Sequence, residues 1–111
     1  MKIKINNYTS DAEYFSTPEE LETGLMDRES LDGCAIFNVG NGHHSFWMKN
    51  CKIVLDIVFI QHNRITKIHL NCPPAGNKLN PPRYTGIGDY VIELPGNTAK
   101  NWKIGDRVFI F

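Results

Sequence analysis

Residues 53–61, with the sequence IVLDIVFIQ, form the most apolar run of the 111-residue chain. Apart from Asp56, every side chain from 53 to 60 is aliphatic or aromatic, which predicts a central strand buried on both faces. A polar turn follows, and apolar and polar residues then alternate from Ile65 to Leu70. This alternation predicts a hairpin, around which the remaining strands have to pair.

Short strands are predicted on both sides of this hairpin, each bounded by residues that favour turns. They are Lys2–Tyr8, Cys34–Phe37, His43–Met48, Tyr90–Leu94 and Arg107–Phe111, with a turn predicted at residues 38–42. The expected fold is α+β and mainly β: a small antiparallel barrel, or barrel-like sandwich, of six to seven strands. We expect a single domain over residues 1–111.

One N-terminal helix is predicted to begin after Thr17. Thr17 can cap the helix, Pro18 suits its first position, and Glu20 completes a capping box. We expect this helix to end near Arg28, and residues 97–102 to form a short second helical turn.

The charged residues balance overall but are unevenly distributed. Residues 1–33 carry eight acidic and three basic side chains, whereas residues 34–111 carry four acidic and nine basic ones. The first turn of a helix favours acidic side chains, which accounts for much of the acidity. The basic residues are dispersed rather than clustered, which argues against a nucleic-acid partner. No apolar run approaches the roughly 18 residues of a membrane span, so no membrane association is expected.

The three cysteines, Cys34, Cys51 and Cys72, show no paired spacing, which predicts free thiols in a reducing compartment. With no hydrophobic leader at the N-terminus, we expect no signal peptide and a cytoplasmic location. The spacing of cysteine and histidine residues fits no zinc motif, so neither a metal nor another cofactor is expected. Lysines at 49 and 52 flank Cys51, which predicts a lowered pKa for that thiol.

Residues 45–50, with the sequence SFWMKN, are the strongest candidate for one wall of a ligand pocket. Trp47 and Met48 would offer apolar contact, and Lys49 and Asn50 would offer directed hydrogen-bond donors. The alternative is structural: Met48 belongs to the core, Trp47 covers one end of the barrel, and Asn50 adopts a left-handed turn.

Asp56 interrupts the most apolar strand and therefore needs a partner. Lys49, His69 and backbone N–H groups are the available partners. An ion pair or a cap would make Asp56 structural, whereas a shifted pKa in a cleft would make it an acid–base group.

Residues 73–88 contain four prolines and three glycines and are predicted to be irregular. A segment of this length without regular structure is either a binding loop or a mobile connection.

Taken together, these segments resemble a prokaryotic family known as domain of unknown function 192. The most specific match is residues 45–50 followed by Leu55-Asp56-Ile57 and Phe59-Ile60, and the resemblance runs from about Leu21 to Val108. The other matching segments are Gly24-Leu25-Met26 with Arg28, Ile65–Asn71 with Pro73-Pro74, Tyr84, Tyr90-Val91 with Glu93–Gly96, and Ile104–Asp106 with Val108.

The resemblance implies a β-rich, barrel-like α+β fold and brings no established activity. It selects eight candidate ligand-binding residues without assigning roles: Trp47, Met48, Lys49, Asn50, Asp56, Asn71, Tyr84 and Glu93. Many relatives carry an export signal and cysteines in the proline-rich loop, where this chain has Ala75, which supports a reduced, intracellular setting. Stand-alone copies also occur in bacteriophages, and a phage origin would place the protein in the host cytoplasm.

Three functional hypotheses follow from these residues. The first, which we favour over an enzyme, is a module that binds a small polar ligand or a protein segment through Trp47, Lys49 and Asn50 beside residues 73–88. The second is an enzyme that uses Asp56 with Lys49 or His69 as acid–base groups, although no catalytic residue is assigned. The third is a structural protein that forms a homodimer through its apolar terminal strand.

Overall fold

The computed structural model describes all residues from 1 to 111 and contains seven strands and one short helix. These elements are β1 (Lys2–Ile5), β2 (Tyr8–Phe15), α1 (Pro18–Thr23), β3 (Cys34–Trp47), β4 (Leu55–Gln61), β5 (Arg64–Cys72), β6 (Arg83–Pro95) and β7 (Val108–Ile110). The strands form one sheet in the order β5-β4-β6-β3-β2-β1-β7. A bridge between Arg64 and Arg107 joins the two ends of this order, so the sheet is curled into a half-barrel.

The mainly β, barrel-like architecture is confirmed, but the sheet is mixed rather than antiparallel. β2 and β3 run parallel, with Ala12 opposite Cys34 and Phe15 opposite Phe37, whereas the other neighbours are antiparallel. Parallel neighbours need a crossover connection, and α1 with residues 24–33 provides it. The sequence pattern did not reveal this because β2 was not predicted beyond Tyr8.

The N-terminal segment forms two strands instead of the single strand Lys2–Tyr8. The chain reverses at residues 6 and 7, where Asn6 has a φ of 53°. Ile5 then pairs with Tyr8, and Lys2 pairs with Asp11. Asparagine tolerates the left-handed backbone that such a tight turn needs, so Asn6 favours the hairpin. The alternation of apolar and polar residues before the turn predicts a strand but does not show where it ends.

The capping box at the start of α1 is confirmed. The Glu20 N–H donates to the Thr17 hydroxyl at 3.2 Å, and the Thr17 N–H donates to the Glu20 carboxylate at 3.0 Å. The helix ends at Thr23 rather than near Arg28, because the backbone of Gly24 turns to a φ of 48°. The predicted second helical turn at residues 97–102 is a series of turns and not a helix.

Two predicted interruptions of the sheet are absent. Residues 38–42 do not end a strand; they form an irregularity within the 14-residue β3, where the pairing with β6 shifts register. The predicted irregular segment is irregular only from residue 73 to residue 82, because β6 begins at Arg83. Gly86 and Gly88 serve close packing in the sheet rather than a loop. A Cβ atom at position 86 would lie 2.5 Å from Cγ of Phe59, and one at 88 would lie 2.5 Å from the carbonyl oxygen of Ile60.

We expect Gly86→Ala to lower the free energy of unfolding by about 2 kcal/mol, because the added methyl group overpacks the Phe59 ring. Urea unfolding measures the loss, and Thr85→Ala, at the exposed neighbouring position, is the control. In a Phe59→Leu background the same glycine substitution should be less costly. An equal cost in both backgrounds would contradict the proposed contact.

Side chains alternate between the two faces of the sheet, and each face carries its own apolar core. The first core includes Leu25, Phe37, Met48, Cys51, Leu55, Ile57, Phe59 and Val91. The second core includes Ile3, Ile5, Cys34, Ile36, Val58, Ile60, Ile92, Leu94, Ala99 and Val108. Glu93 pairs with Ile57 of the first core, and Asp56 pairs with Leu94 of the second. The two buried carboxyl groups therefore lie on opposite faces of the sheet.

Candidate ligand-binding site

A cavity of about 240 Å³ lies on the first-core face, between the α1 segment and the ends of β3 and β6. Its lining consists of residues 21–26, Phe37, residues 45–47, Lys49, Cys51, Arg83 and Glu93. The floor, by which we mean the buried lining residues, includes Leu25, Phe37, Cys51 and Glu93. The rim, by which we mean the partly or fully exposed ones, includes Trp47, Lys49, Arg83 and Glu22.

Glu93 is the unusual group of this cavity. Its side chain is 5% exposed, and its carboxyl group makes neither a hydrogen bond nor a salt bridge within the protein. Its neighbours across the sheet, Ala35 and Ile57, offer no polar side chain. Because burial penalises the charged form, the pKa of Glu93 rises to about 8. At neutral pH the cavity floor therefore holds a mostly protonated carboxyl group with no partner.

Two cations at the rim surround the indole of Trp47. Strand pairing places Arg83 opposite Trp47, and the guanidinium carbon of Arg83 lies 4.1 Å from the ring centroid. The Lys49 ammonium lies 5.2 Å from the same ring. Neither cation forms a salt bridge, since the three salt bridges of the protein involve other bases. The indole thus holds two cations in place by cation–π attraction without neutralising them.

Asp56 is fully buried and accepts hydrogen bonds from three backbone N–H groups. These are the N–H of Asn71 at 2.8 Å, of Asn97 at 3.0 Å and of Ala99 at 2.8 Å. The predicted need for a partner is thus met by backbone donors rather than by Lys49 or His69. The His69 ring lies on the other face of the sheet, with Nε2 at 2.9 Å from the Thr85 carbonyl oxygen. Asp56 therefore fastens the ends of β5 and β6 and does not line the cavity.

Met48 and Asn50 support the cavity without lining it. Met48 is 1% exposed in the first core, and its carbonyl oxygen accepts from the N–H groups of Cys51 and Ala75. Asn50 adopts a left-handed φ of 59°, and its N–H donates to the Gly76 carbonyl oxygen. These hydrogen bonds hold the turn that carries Lys49 against residues 73–76, and so they help to fix the position of Lys49.

Asn71 and Tyr84 also lie outside the cavity. Asn71 presents its backbone to Asp56 at a φ of 52°. The half-buried Tyr84 ring meets the His69 ring edge-to-face at 5.4 Å, and burial raises the pKa of its hydroxyl. Of the eight residues selected from the sequence, the structure brings Trp47, Lys49 and Glu93 together around one cavity.

The cysteines are three buried, free thiols. The expectation of a lowered pKa for Cys51 is wrong, because burial raises it to about 11 in spite of the neighbouring lysines. Burial likewise raises the pKa of Cys34 to about 12 and that of Cys72 to about 11. No three His, Cys, Asp or Glu side chains meet in a group that could hold a metal ion.

The terminal strand β7 has little free edge for a second copy. β7 pairs with β1 on one side, and on the other the Val108 N–H donates to the Asn63 carbonyl oxygen at 2.8 Å. The rings of Phe109 and Phe111, which follow Val108 in the chain, are exposed. Dimerisation through this strand stays a prediction.

The chain matches the model of the DUF192 family, described as Uncharacterized ACR, over residues 1–110. The chain belongs to this family. The match extends beyond the segment 21–108 on which the sequence resemblance rested, and it includes both strands of the N-terminal hairpin. No curated protein matches the sequence significantly.

Two crystal structures resemble this member of the DUF192 family over nearly its whole length. A protein of unknown function from Novosphingobium aromaticivorans has 26% identity and a TM-score of 0.89, covering 99% of this chain and 84% of its own. A protein from Sinorhizobium meliloti, called a "putative transcription regulator", has 26% identity and a TM-score of 0.83, covering 97% of this chain and 89% of its own. No helix in this DUF192 protein has the length and apolar character needed to cross a bilayer.

Sequence reasoning missed Arg83 and residues 21–26 as parts of the candidate site. Arg83 reaches the site because β3 and β6 pair in a register that places it opposite Trp47. Residues 21–26 reach it through the crossover between the parallel strands. Arg83 immediately precedes the family residue Tyr84, which was the one local signal available for it.

Proposed function

We propose that this DUF192 protein is a binding module whose ligand is a small polar molecule held in the Glu93 cavity. The observation that carries the proposal is the carboxyl group of Glu93, which opens on the cavity floor and makes no hydrogen bond to another group of the protein. Most polar groups inside folded proteins have a hydrogen-bond partner. A bound molecule would supply the missing hydrogen bond.

The remaining lining suits a small ligand. The rings of Phe37 and Phe46 provide apolar walls, while Glu93, Lys49 and Arg83 are a few polar groups that converge on one space. Ligand sites of proteins commonly combine a mostly apolar lining with a small number of placed polar groups. The combination supports binding of an organic molecule in preference to a bare ion.

The enzyme hypothesis based on Asp56 has less support. Three backbone N–H groups occupy its two oxygens, and its side chain belongs to the opposite face of the sheet from Lys49. A general base needs to reach the proton that it removes, and Asp56 is fully buried and does not line the Glu93 cavity. We therefore place the function at Glu93 and treat Asp56 as structural.

The proposal is tested by the fluorescence of Trp47. The chain contains two tryptophans, so the Trp102→Phe variant isolates the emission of Trp47. Small polar compounds from a panel are titrated into this variant, and the change in Trp47 emission is recorded. We expect a saturable change with at least one compound. Glu93→Ala should weaken that binding by at least about tenfold, since a hydrogen bond to a buried group is lost.

The control is Glu19→Ala, which removes an exposed carboxylate on α1 outside the cavity. Its affinity for the compound should equal that of the parent. Unchanged binding in Glu93→Ala would contradict the proposal, as would the absence of a response from Trp47 to every compound in the panel.

A further inference from the structure

The two cations at the rim, Arg83 and Lys49, have hydrogen-bond donors that no other group of the protein uses. The guanidinium group of Arg83 lies over the Trp47 ring, and a cation–π contact leaves its N–H groups available to a second partner. No side-chain hydrogen bond or salt bridge uses these groups within the protein. Lys49 stands at the same ring with an equally unpaired ammonium group. A planar fork of donors beside a second cation matches a carboxylate group.

The floor is suited to a different chemical group. Glu93 is the acidic side chain at the buried end of the cavity. The Cys51 thiol shares this floor, and Ala35, Ile57 and Phe37 provide apolar surface beside it. An ammonium group would bring three N–H donors to this place, and the two oxygens of one carboxyl group would leave at least one of them without an acceptor. A hydroxyl group brings one donor and accepts in return, so one carboxyl group satisfies it.

We propose that the ligand is a small organic acid that carries a hydroxyl group. Its carboxylate lies between Arg83 and Lys49 at the rim, and its hydroxyl group reaches Glu93 at the floor. The inference rests on the proposed function, that the cavity binds a small polar molecule. Glu22 is the one acid at the rim, which leaves the rim with a net positive charge. The cavity volume of about 240 Å³ is room for a small ligand.

Four six-carbon compounds separate the parts of this inference. Gluconate has the carboxylate and hydroxyl groups, hexanoate lacks the hydroxyl groups, sorbitol lacks the carboxylate, and 6-aminohexanoate carries an ammonium group in place of hydroxyl groups. Each is titrated into the isotope-labelled full chain, and the backbone amide signals of residues 45–49 and 91–93 are followed by NMR. We expect gluconate to bind at least about tenfold more tightly than each of the other three.

Two arginine variants test the rim contact. Arg83→Gln should weaken gluconate binding by at least about tenfold, because a charge-assisted pair of hydrogen bonds is lost, and should leave sorbitol binding unchanged. The matched control is Arg107→Gln, since Arg107 also lies over an aromatic ring, that of Phe109 at 6.0 Å, but outside the cavity. Its affinity for gluconate should equal that of the wild type.

The outcomes distinguish this inference from the proposed function. Equal affinity for sorbitol and gluconate, unaltered by Arg83→Gln, would contradict the requirement for an acid group in the ligand, although the cavity would still bind a polar molecule. Tighter binding of 6-aminohexanoate than of gluconate would contradict the requirement for a hydroxyl group. Absence of cavity shifts with all four compounds would overturn the inference as a whole, and the wider panel read by Trp47 fluorescence would then judge the proposed function separately.

Discussion

Replacing Glu93 with glutamine is expected to make the protein more stable than the wild type at pH 9 by several kcal/mol. The folded protein holds the Glu93 proton with a pKa of about 8, against an ordinary value of 4.5. Between these two values the folded state binds more protons than the unfolded state, so wild-type stability falls as the pH rises. The slope contributed by Glu93 approaches about 1.4 kcal/mol per pH unit, and the loss is complete above pH 8.

Urea unfolding of both proteins from about pH 3 to pH 9 measures this effect as a difference. Below pH 4.5 the two should have nearly equal free energies of unfolding, because Glu93 is then neutral in both states and glutamine has nearly the same shape. The other titrating groups are common to both proteins and cancel. Glu19→Gln, at an exposed position, should keep the wild-type pH dependence. A parallel pH dependence in Glu93→Gln and the wild type would disprove the burial of an unpaired carboxyl group.

Removing the carboxylate of Asp56 should produce the second large effect. Asp56→Ala leaves three backbone N–H groups, those of Asn71, Asn97 and Ala99, without their acceptor. Each unsatisfied buried donor costs about 1–3 kcal/mol, so we expect a loss of at least about 3 kcal/mol. This loss is a large share of the free energy of unfolding of a typical domain, which is about 5–15 kcal/mol.

Asp56→Asn is a milder variant that keeps one acceptor oxygen, and it allows the test if Asp56→Ala is too unstable to purify. Its loss of stability should be smaller, and hydrogen exchange should be faster at the amides of Asn97 and Ala99 than in the wild type. Asp32→Ala, at an exposed position, is the control for the loss of one negative charge. Wild-type stability and exchange rates in Asp56→Asn would show that the three hydrogen bonds contribute little.

Features with a local cause were predictable from the sequence. The capping box depends on residues three positions apart, and the β4–β5 hairpin depends on adjacent apolar runs, so both could be read directly. The glycines at 86 and 88 show the limit of such reasoning. A glycine is typical both of turns and of close packing in a strand, and the choice depends on Phe59 and Ile60, which lie more than 25 residues away.

The candidate site was predictable to a similar extent. Trp47 and Lys49 stood out through the composition of their segment, and Glu93 through the family resemblance. That Asp56 requires a partner also followed from the sequence, but its donors come from the end of β5 and from the turn after β6. Arg83 could not be assigned to the site because its position depends on the register between β3 and β6. The pairing of strands that are distant in the sequence could not be predicted from the sequence alone.

The opposite orientation of neighbouring residues on β6 limits what a substitution in the cavity floor can disturb. Glu93 faces the cavity, whereas Ile92 and Leu94 on either side of it fill the second core. A substitution at position 93 therefore changes the chemistry of the cavity floor, while the second core on the opposite face of the sheet keeps all of its packing contacts.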